Sequence, residues 1–128
     1  MGPLSFAGYA AVFDRVDRAG DVIRAGAFAG VGAGGGADVP LLRDHRGAPV
    51  GRIVAIGEDA RGLRVAGEIA EAEAARLVRC GALPALSVGY RPLAVRQGAR
   101  RELLRVALAE VSLVAVPMQP LARIDRVG

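Results

Sequence analysis

Ser87 lies in Leu83-Pro84-Ala85-Leu86-Ser87-Val88-Gly89-Tyr90-Arg91-Pro92, an apolar, strand-like run with one hydroxyl in its middle. Gly89 follows two positions on, where the absence of a Cβ would let a second backbone approach closely. Ser87 is therefore a candidate nucleophile. A serine in a hydrophobic strand is ordinarily a small residue whose hydroxyl bonds a nearby carbonyl. The case for chemistry thus depends on what meets Ser87 in the fold. The choice is narrow, because the chain has no threonine, three serines (Ser5, Ser87 and Ser112), one cysteine and one histidine.

His45 is the only side chain whose ordinary pKa lies close to neutrality, which makes it the natural general base. It follows the apolar run Val39-Pro40-Leu41-Leu42 and falls in a turn, a position from which a side chain can be aimed across a site. Glu110 is the only charged residue between Val106 and Val116. A buried carboxylate needs a partner, and an imidazole would turn that burial into orientation of the ring. The alternative is a structural pairing with one of the many arginines. On a strand, Glu110 shares a face with Ser112 while Val111 and Leu113 face the other way, so a polar face lining a cleft is expected. Cys80 is the rival nucleophile. It is expected to pack at a helix C-terminus, where the partial negative charge opposes thiolate formation.

One histidine and one cysteine cannot make a zinc site, so no metal is expected. The glycine-rich stretch lacks a following Lys-Ser or Lys-Thr and is no phosphate-binding loop, and no cofactor is expected either. The net charge is +4, carried entirely by arginine and scattered from Arg15 to Arg126. With three Phe, two Tyr and no Trp, it offers little for stacking bases, which argues against nucleic acid as a partner.

These residues must be positioned by a fold that 128 residues can build as a single domain, residues 1–128. A lone cysteine forms no internal disulfide, and no charge-free apolar run reaches about 18 residues, so no membrane partner is expected and the chain reads as soluble and cytoplasmic. Strands are expected over Phe6 to Phe13 and over Asp21-Val22-Ile23, the latter as the hairpin partner of the former. A short helical turn follows at Gly26-Ala27-Phe28, then a mobile glycine-rich loop at about 30–37. A strand at Val39 to Leu42 leads into turn chemistry from Asp44 to Pro49. Val50 to Ile56 and Leu63 to Ala70 form a hairpin through Glu58 to Gly62.

Glu71 to Arg79 has the signature of a helix, acidic at its start, basic at its end and followed by Gly81. Two more strands around a turn at residues 97–100 follow that of Ser87. The expected fold is mostly β with few helices (α+β), a compact barrel or sandwich.

Several local words, in order, resemble the prohead (capsid maturation) proteases of tailed phages and gene transfer particles. They are Gly8-Tyr9-Ala10-Ala11-Val12-Phe13-Asp14, Gly20-Asp21-Val22-Ile23, Gly26-Ala27-Phe28 and Leu41-Leu42-Arg43-Asp44-His45. Pro49-Val50-Gly51-Arg52, Gly62-Leu63, Leu86-Ser87-Val88-Gly89-Tyr90 and the run from Glu110 to Pro117 complete the order. The resemblance implies a β-barrel flanked by helices, related to herpesvirus assembly proteases. It implies a serine endopeptidase with Ser87 as nucleophile, His45 as base and Glu110 orienting the histidine, with Asp44 as its competitor. Oxyanion donors would come from the backbone at Val88 and Gly89 or from Arg91.

The implied substrate is a scaffold polypeptide or the major capsid protein, cut within the assembling prohead by a homo-oligomer. The chain departs from the family in being short, with only residues 118–128 left for any self-processed tail. The alternatives are a non-catalytic assembly factor on the same fold and a basic β-barrel that binds single-stranded nucleic acid.

Overall fold

The computed structural model describes residues 2–128. Eight strands and one helix follow in the order β1 (Leu4–Val12), β2 (Asp21–Ile23), β3 (Pro40–Arg43), β4 (Arg46–Glu58), β5 (Gly62–Ile69), α1 (Ala72–Arg79), β6 (Ala85–Gln97), β7 (Arg101–Val114) and β8 (Ile124–Val127). All eight strands belong to one mixed sheet, ordered β2-β7-β3-β4-β5-β1-β8, with β6 paired to β7.

The strands follow from alternation. In β5, Leu63, Val65 and Ile69 point inward to full or near-full burial, while Arg64 and Glu68 remain partly exposed between them. Leu41, Leu86, Leu103, Val111 and Leu113 join them in the core with no exposed surface. Burying each such side chain contributes about 1.5–3 kcal/mol.

The fold is mostly β, as expected, but the sheet curls without closing, so it is a barrel only in a loose sense. Its two ends are drawn together by the segment before β8. The Leu86 amide donates to the Ala122 carbonyl at 3.1 Å and the Ile124 amide to the Pro84 carbonyl at 3.0 Å, with an isolated bridge between Ala85 and Arg123. On the other side of that segment the Tyr9 amide donates to the Arg123 carbonyl at 3.1 Å. This approach requires Gly8, because a Cβ there would stand 2.3 Å from the Arg123 carbonyl oxygen.

α1 forms where its ends are satisfied. The Glu71 carboxylate accepts from the amides of Glu73 and Ala74 at 3.1 and 2.6 Å, and Gly81 turns the chain out of the helix at φ +83°. It is the only helix among the described residues, so helices do not flank the sheet on several sides.

Several local expectations are corrected. β2 does not pair with β1; it runs parallel to β7, with Asp21, Val22 and Ile23 opposite Arg101, Glu102 and Leu103. The turn after β3 is confined to Asp44 and His45, and Gly47 to Pro49 already belong to β4. Apart from these corrections, residues 30–37, expected as a loop, run as a series of single turns beside β4, where a Cβ on Gly36 would lie 2.8 Å from the side chains of Ile53 and Ile56. The C-terminal residues contribute β8, which pairs with β1 through Phe6 opposite Val127. Cys80 caps α1 and is exposed, contrary to the packing role expected for it.

Candidate functional site

The candidate site is assembled where β3, β7 and β6 lie side by side. β3 runs parallel to β7 with Leu42 opposite Ser112, and β6 runs antiparallel to β7 with Ser87 opposite Ser112 and Gly89 opposite Glu110. Directly opposed residues in an antiparallel pair project to the same face. Ser87, Gly89, Glu110 and Ser112 therefore share one face, and Leu86, Val111 and Leu113 bury the other in the core.

A two-residue turn at the end of β3 presents His45. Asp44 and His45 both have positive φ, +54° and +63°, the geometry of a tight hairpin that joins Arg43 to its partner Arg46. Two bonds hold the turn against β7: the Asp44 amide donates to the Leu113 carbonyl at 3.1 Å, and the His45 amide to Ser112 Oγ at 3.0 Å. The Ser112 hydroxyl in turn donates to Glu110 Oε1 at 2.7 Å, and Glu110 Oε2 lies 2.6 Å from His45 Nδ1.

Both carboxylate oxygens of Glu110 are thus occupied, and its residue is only 9% exposed. With Nδ1–H given to Glu110, His45 Nε2 carries the lone pair, the tautomer that a general base needs. Nε2 has no hydrogen-bond partner among the described residues, and the imidazole is 43% exposed.

The same carboxylate reaches across to β6. A Cβ on Gly89 would lie 2.1 Å from Glu110 Oε2. Gly89 therefore makes room for a side chain and not for the second backbone expected from the sequence. The oxygen in this space is the one bonded to His45 Nδ1, so the carboxylate that anchors the imidazole lies against Gly89, two residues along β6 from Ser87. Ser87 itself is 5% exposed, and its hydroxyl makes no hydrogen bond within the described residues. Its Cα is about 5.5 Å from that of Ser112, the spacing of a hydrogen-bonded antiparallel pair.

Of the residues expected here, Asp44 does not contact the imidazole; its carboxylate lies 3.8 Å from the Arg43 guanidinium. Cys80, at the far end of α1, has its Sγ against the Leu77 carbonyl and no part in the cluster. Val88 and Gly89 differ in what their amides can do. The Leu86 amide turns away from β7 toward Ala122, so by ladder alternation the Ser87 and Gly89 amides point into the β6–β7 ladder. The Val88 amide points to the open edge. Arg91 is four residues beyond Ser87, about 13 Å along the strand, exposed and without an ion pair among the described residues.

Two residues of this region had no role assigned from the sequence. Ser112 was legible as Glu110's neighbour on the same face, but not as the link between the carboxylate and the His45 backbone. Gln119, buried beside Ser87, carried no sequence signal, since its place depends on the segment that joins the sheet's two ends.

A family model described as Caudovirus prohead serine protease matches residues 2–127. No curated protein sequence matches. Among solved structures, KSHV protease in complex with a hexapeptide phosphonate inhibitor superposes with a TM-score of 0.55 at 14% identity, over 91% of this chain and 61% of that one. The protease of varicella-zoster virus superposes with a TM-score of 0.46 at 20% identity, over 85% and 63% respectively. The chain thus spans about three fifths of the length of these solved proteases and shares the fold of the KSHV enzyme.

Proposed function

Because the chain belongs to the Caudovirus prohead serine protease family, we propose that it is a serine endopeptidase in which Ser87 is the nucleophile, His45 the general base and Glu110 the residue that orients the histidine. The observation that carries this reading is the bond between His45 Nδ1 and Glu110 Oε2 at 2.6 Å, made over Gly89 on the strand that bears Ser87.

Ser87 Oγ attacks the carbonyl carbon of the scissile peptide as its proton passes to His45 Nε2. The tetrahedral oxyanion is met by the Val88 amide at the open edge of β6, the donor best placed by strand alternation. Collapse breaks the C–N bond, and His45 gives the proton to the leaving amine. Water, deprotonated by His45, then attacks the Ser87 ester; the bond from the acyl carbon to Ser87 Oγ breaks, His45 returns the proton to Oγ, and the acid product leaves. Glu110 stabilises the imidazolium at each transfer, and Ser112 keeps Glu110 and the His45 backbone in register. No metal or cofactor enters this scheme.

The substrate we propose is a scaffold polypeptide or the major capsid protein, cut inside the assembling prohead. Self-association would keep the enzyme quiet until it is concentrated there, so activity should rise faster than linearly with enzyme concentration. Strictly linear dependence over a wide range removes the oligomer.

The test is co-expression with a major capsid protein from the same source, comparing wild type, Ser87→Ala and Cys80→Ala by intact mass of the capsid protein. Shortening by wild type and Cys80→Ala but not by Ser87→Ala is the expected result. A capsid protein left whole by all three, in shells that still require this chain, makes it an assembly factor instead.

A further inference from the structure

Beside Ser87 the sheet leaves a small cavity of about 60 Å3. Its wall is formed by Ala10 of β1, Ser87, Val88 and Tyr90 of β6, and by Asp17 and Gln119 from two loops. Those loops are tied together by the Arg18 amide, which donates to the Met118 carbonyl at 2.9 Å.

Two polar groups in this wall are not used up by the fold. Gln119 is 4% exposed, and its Oε1 accepts from the buried Val12 amide, which fixes the orientation of the carboxamide. Its Nε2 is then a buried donor with no partner among the described residues. Burying a donor unmet is costly, so it is expected to meet a ligand or water. Asp17 is 6% exposed; its Oδ1 accepts from the Ala19 and Asp21 amides at 2.9 Å each, while its Oδ2 accepts from nothing among the described residues. The half-buried Tyr90 phenol of the same wall has its pKa raised, first by burial and then by the charges of Asp17 and Asp21.

We propose that this cavity holds the substrate side chain next to the scissile bond, and that Gln119 and Asp17 make it select small side chains carrying a hydroxyl or carboxamide. The proposal rests on Ser87 being the nucleophile. The cavity has room for one small side chain or a few waters. A donor and a free carboxylate oxygen together match a serine or threonine hydroxyl or an asparagine amide, each of which can accept from Gln119 Nε2 and donate to Asp17. An aliphatic side chain of the same size would leave both groups unmet, and sites built to hydrogen-bond discriminate strongly on that basis.

The test is digestion of a proteome-derived peptide library by the whole chain, wild type beside Gln119→Glu, with fluorophosphonate labelling of Ser87 in parallel. The substituted carboxylate keeps an oxygen for the Val12 amide and replaces the free donor by an acceptor. For wild type, Ser, Thr and Asn should be enriched at least fivefold at one position flanking the cleaved bond. In Gln119→Glu that enrichment should fall to the library background, and kcat/KM for a Ser-containing peptide over its Val analogue should drop at least tenfold.

Labelling and cleavage without this preference overturn the subsite alone. The same preference in both proteins means that Gln119 only holds a water, and also overturns it. Neither labelling nor cleavage in wild type removes the protease reading and this inference with it.

Discussion

Gly89 and Glu110 stand opposite each other across β6 and β7, and the Glu110 carboxylate occupies the space that a side chain on Gly89 would take. The oxygen that fills this space is Oε2, the one bonded to the His45 ring. A missing Cβ on one strand thus sets where an imidazole from a different part of the sheet comes to rest.

Gly89→Ala should therefore separate stability from activity. The clashing atom is the end of a flexible side chain, so Glu110 can swing aside at a fold cost of about 1 kcal/mol. Swinging aside breaks the bond that fixes the tautomer and orientation of His45, and loss of that function in a triad lowers kcat by orders of magnitude. The expected result is a melting temperature within about 5 °C of wild type and a kcat/KM at least about a hundredfold lower. A variant that cleaves at the wild-type rate would show that Glu110 does not orient the histidine.

The serines facing each other in register, Ser87 and Ser112, should respond in opposite ways to truncation. Ser112 is fully buried, accepts from the His45 amide and donates to Glu110. Ser112→Ala leaves that amide and a carboxylate oxygen with one partner fewer, at about 1–3 kcal/mol. It should melt several degrees lower and keep reduced but measurable cleavage. Ser87→Ala removes a hydroxyl that bonds nothing among the described residues, so it should melt near wild type and cleave nothing. A fluorophosphonate that labels Ser87→Ala but not Ser112→Ala would reverse the assignment.

The sequence made these residue types visible but not their full geometry. Leu63, Val65 and Ile69 alternate with charged residues, and Glu71 and Gly81 bracket α1, so β5 and the helix could be read locally. β2 could be read as a strand but not given its partner, because three residues carry no record of a parallel neighbour some 80 positions away at Arg101 to Leu103. β8 could not be read at all, since its Asp125 and Arg126 hide a strand that exists only by pairing with β1. Gly89 was legible as a close approach, but only the β6–β7 register reveals that a carboxylate makes it. Ser112 and Gln119 have their roles through contacts distant in sequence or through a closure that no local pattern records.

Glu102 offers a pH test remote from the site. On β7, opposite Val22 of β2, it receives Arg96 at 2.8 and 2.9 Å and Arg24 at 2.7 Å. The two bonds from Arg96, then the one from Arg24, hold its carboxyl down to about 2 from an ordinary 4.5. A folded value below the unfolded one means that ionised Glu102 stabilises the fold above pH 4.5 and loses that effect as pH falls toward 2. Glu102→Gln should therefore be less stable than wild type by a constant margin near neutrality, and the margin should shrink through that acid window. A margin equally large near pH 2 would mean that the glutamine disturbs packing and not charge.

Gly8→Ala tests the joining of the sheet's ends and should behave unlike Gly89→Ala. Here the obstructing atoms are backbone: a new Cβ would meet the Arg123 carbonyl oxygen at 2.3 Å and the Ile124 Cα at 2.8 Å. A main chain held by the amides of Tyr9 and Leu86 cannot rotate out of the way as a carboxylate does. Either the segment lifts, releasing β8 from β1 and the Ala122 carbonyl from Leu86, or β1 distorts. The expected cost is about 2–4 kcal/mol, with faster amide exchange at Tyr9, Leu86 and Ile124 than in wild type. Because Leu86 precedes Ser87 and the lifted segment carries Gln119, cleavage should weaken in the same variant even at temperatures where it stays folded. Wild-type exchange at those three amides, with wild-type stability, would show that the Arg123 backbone does not lie against Gly8 in solution.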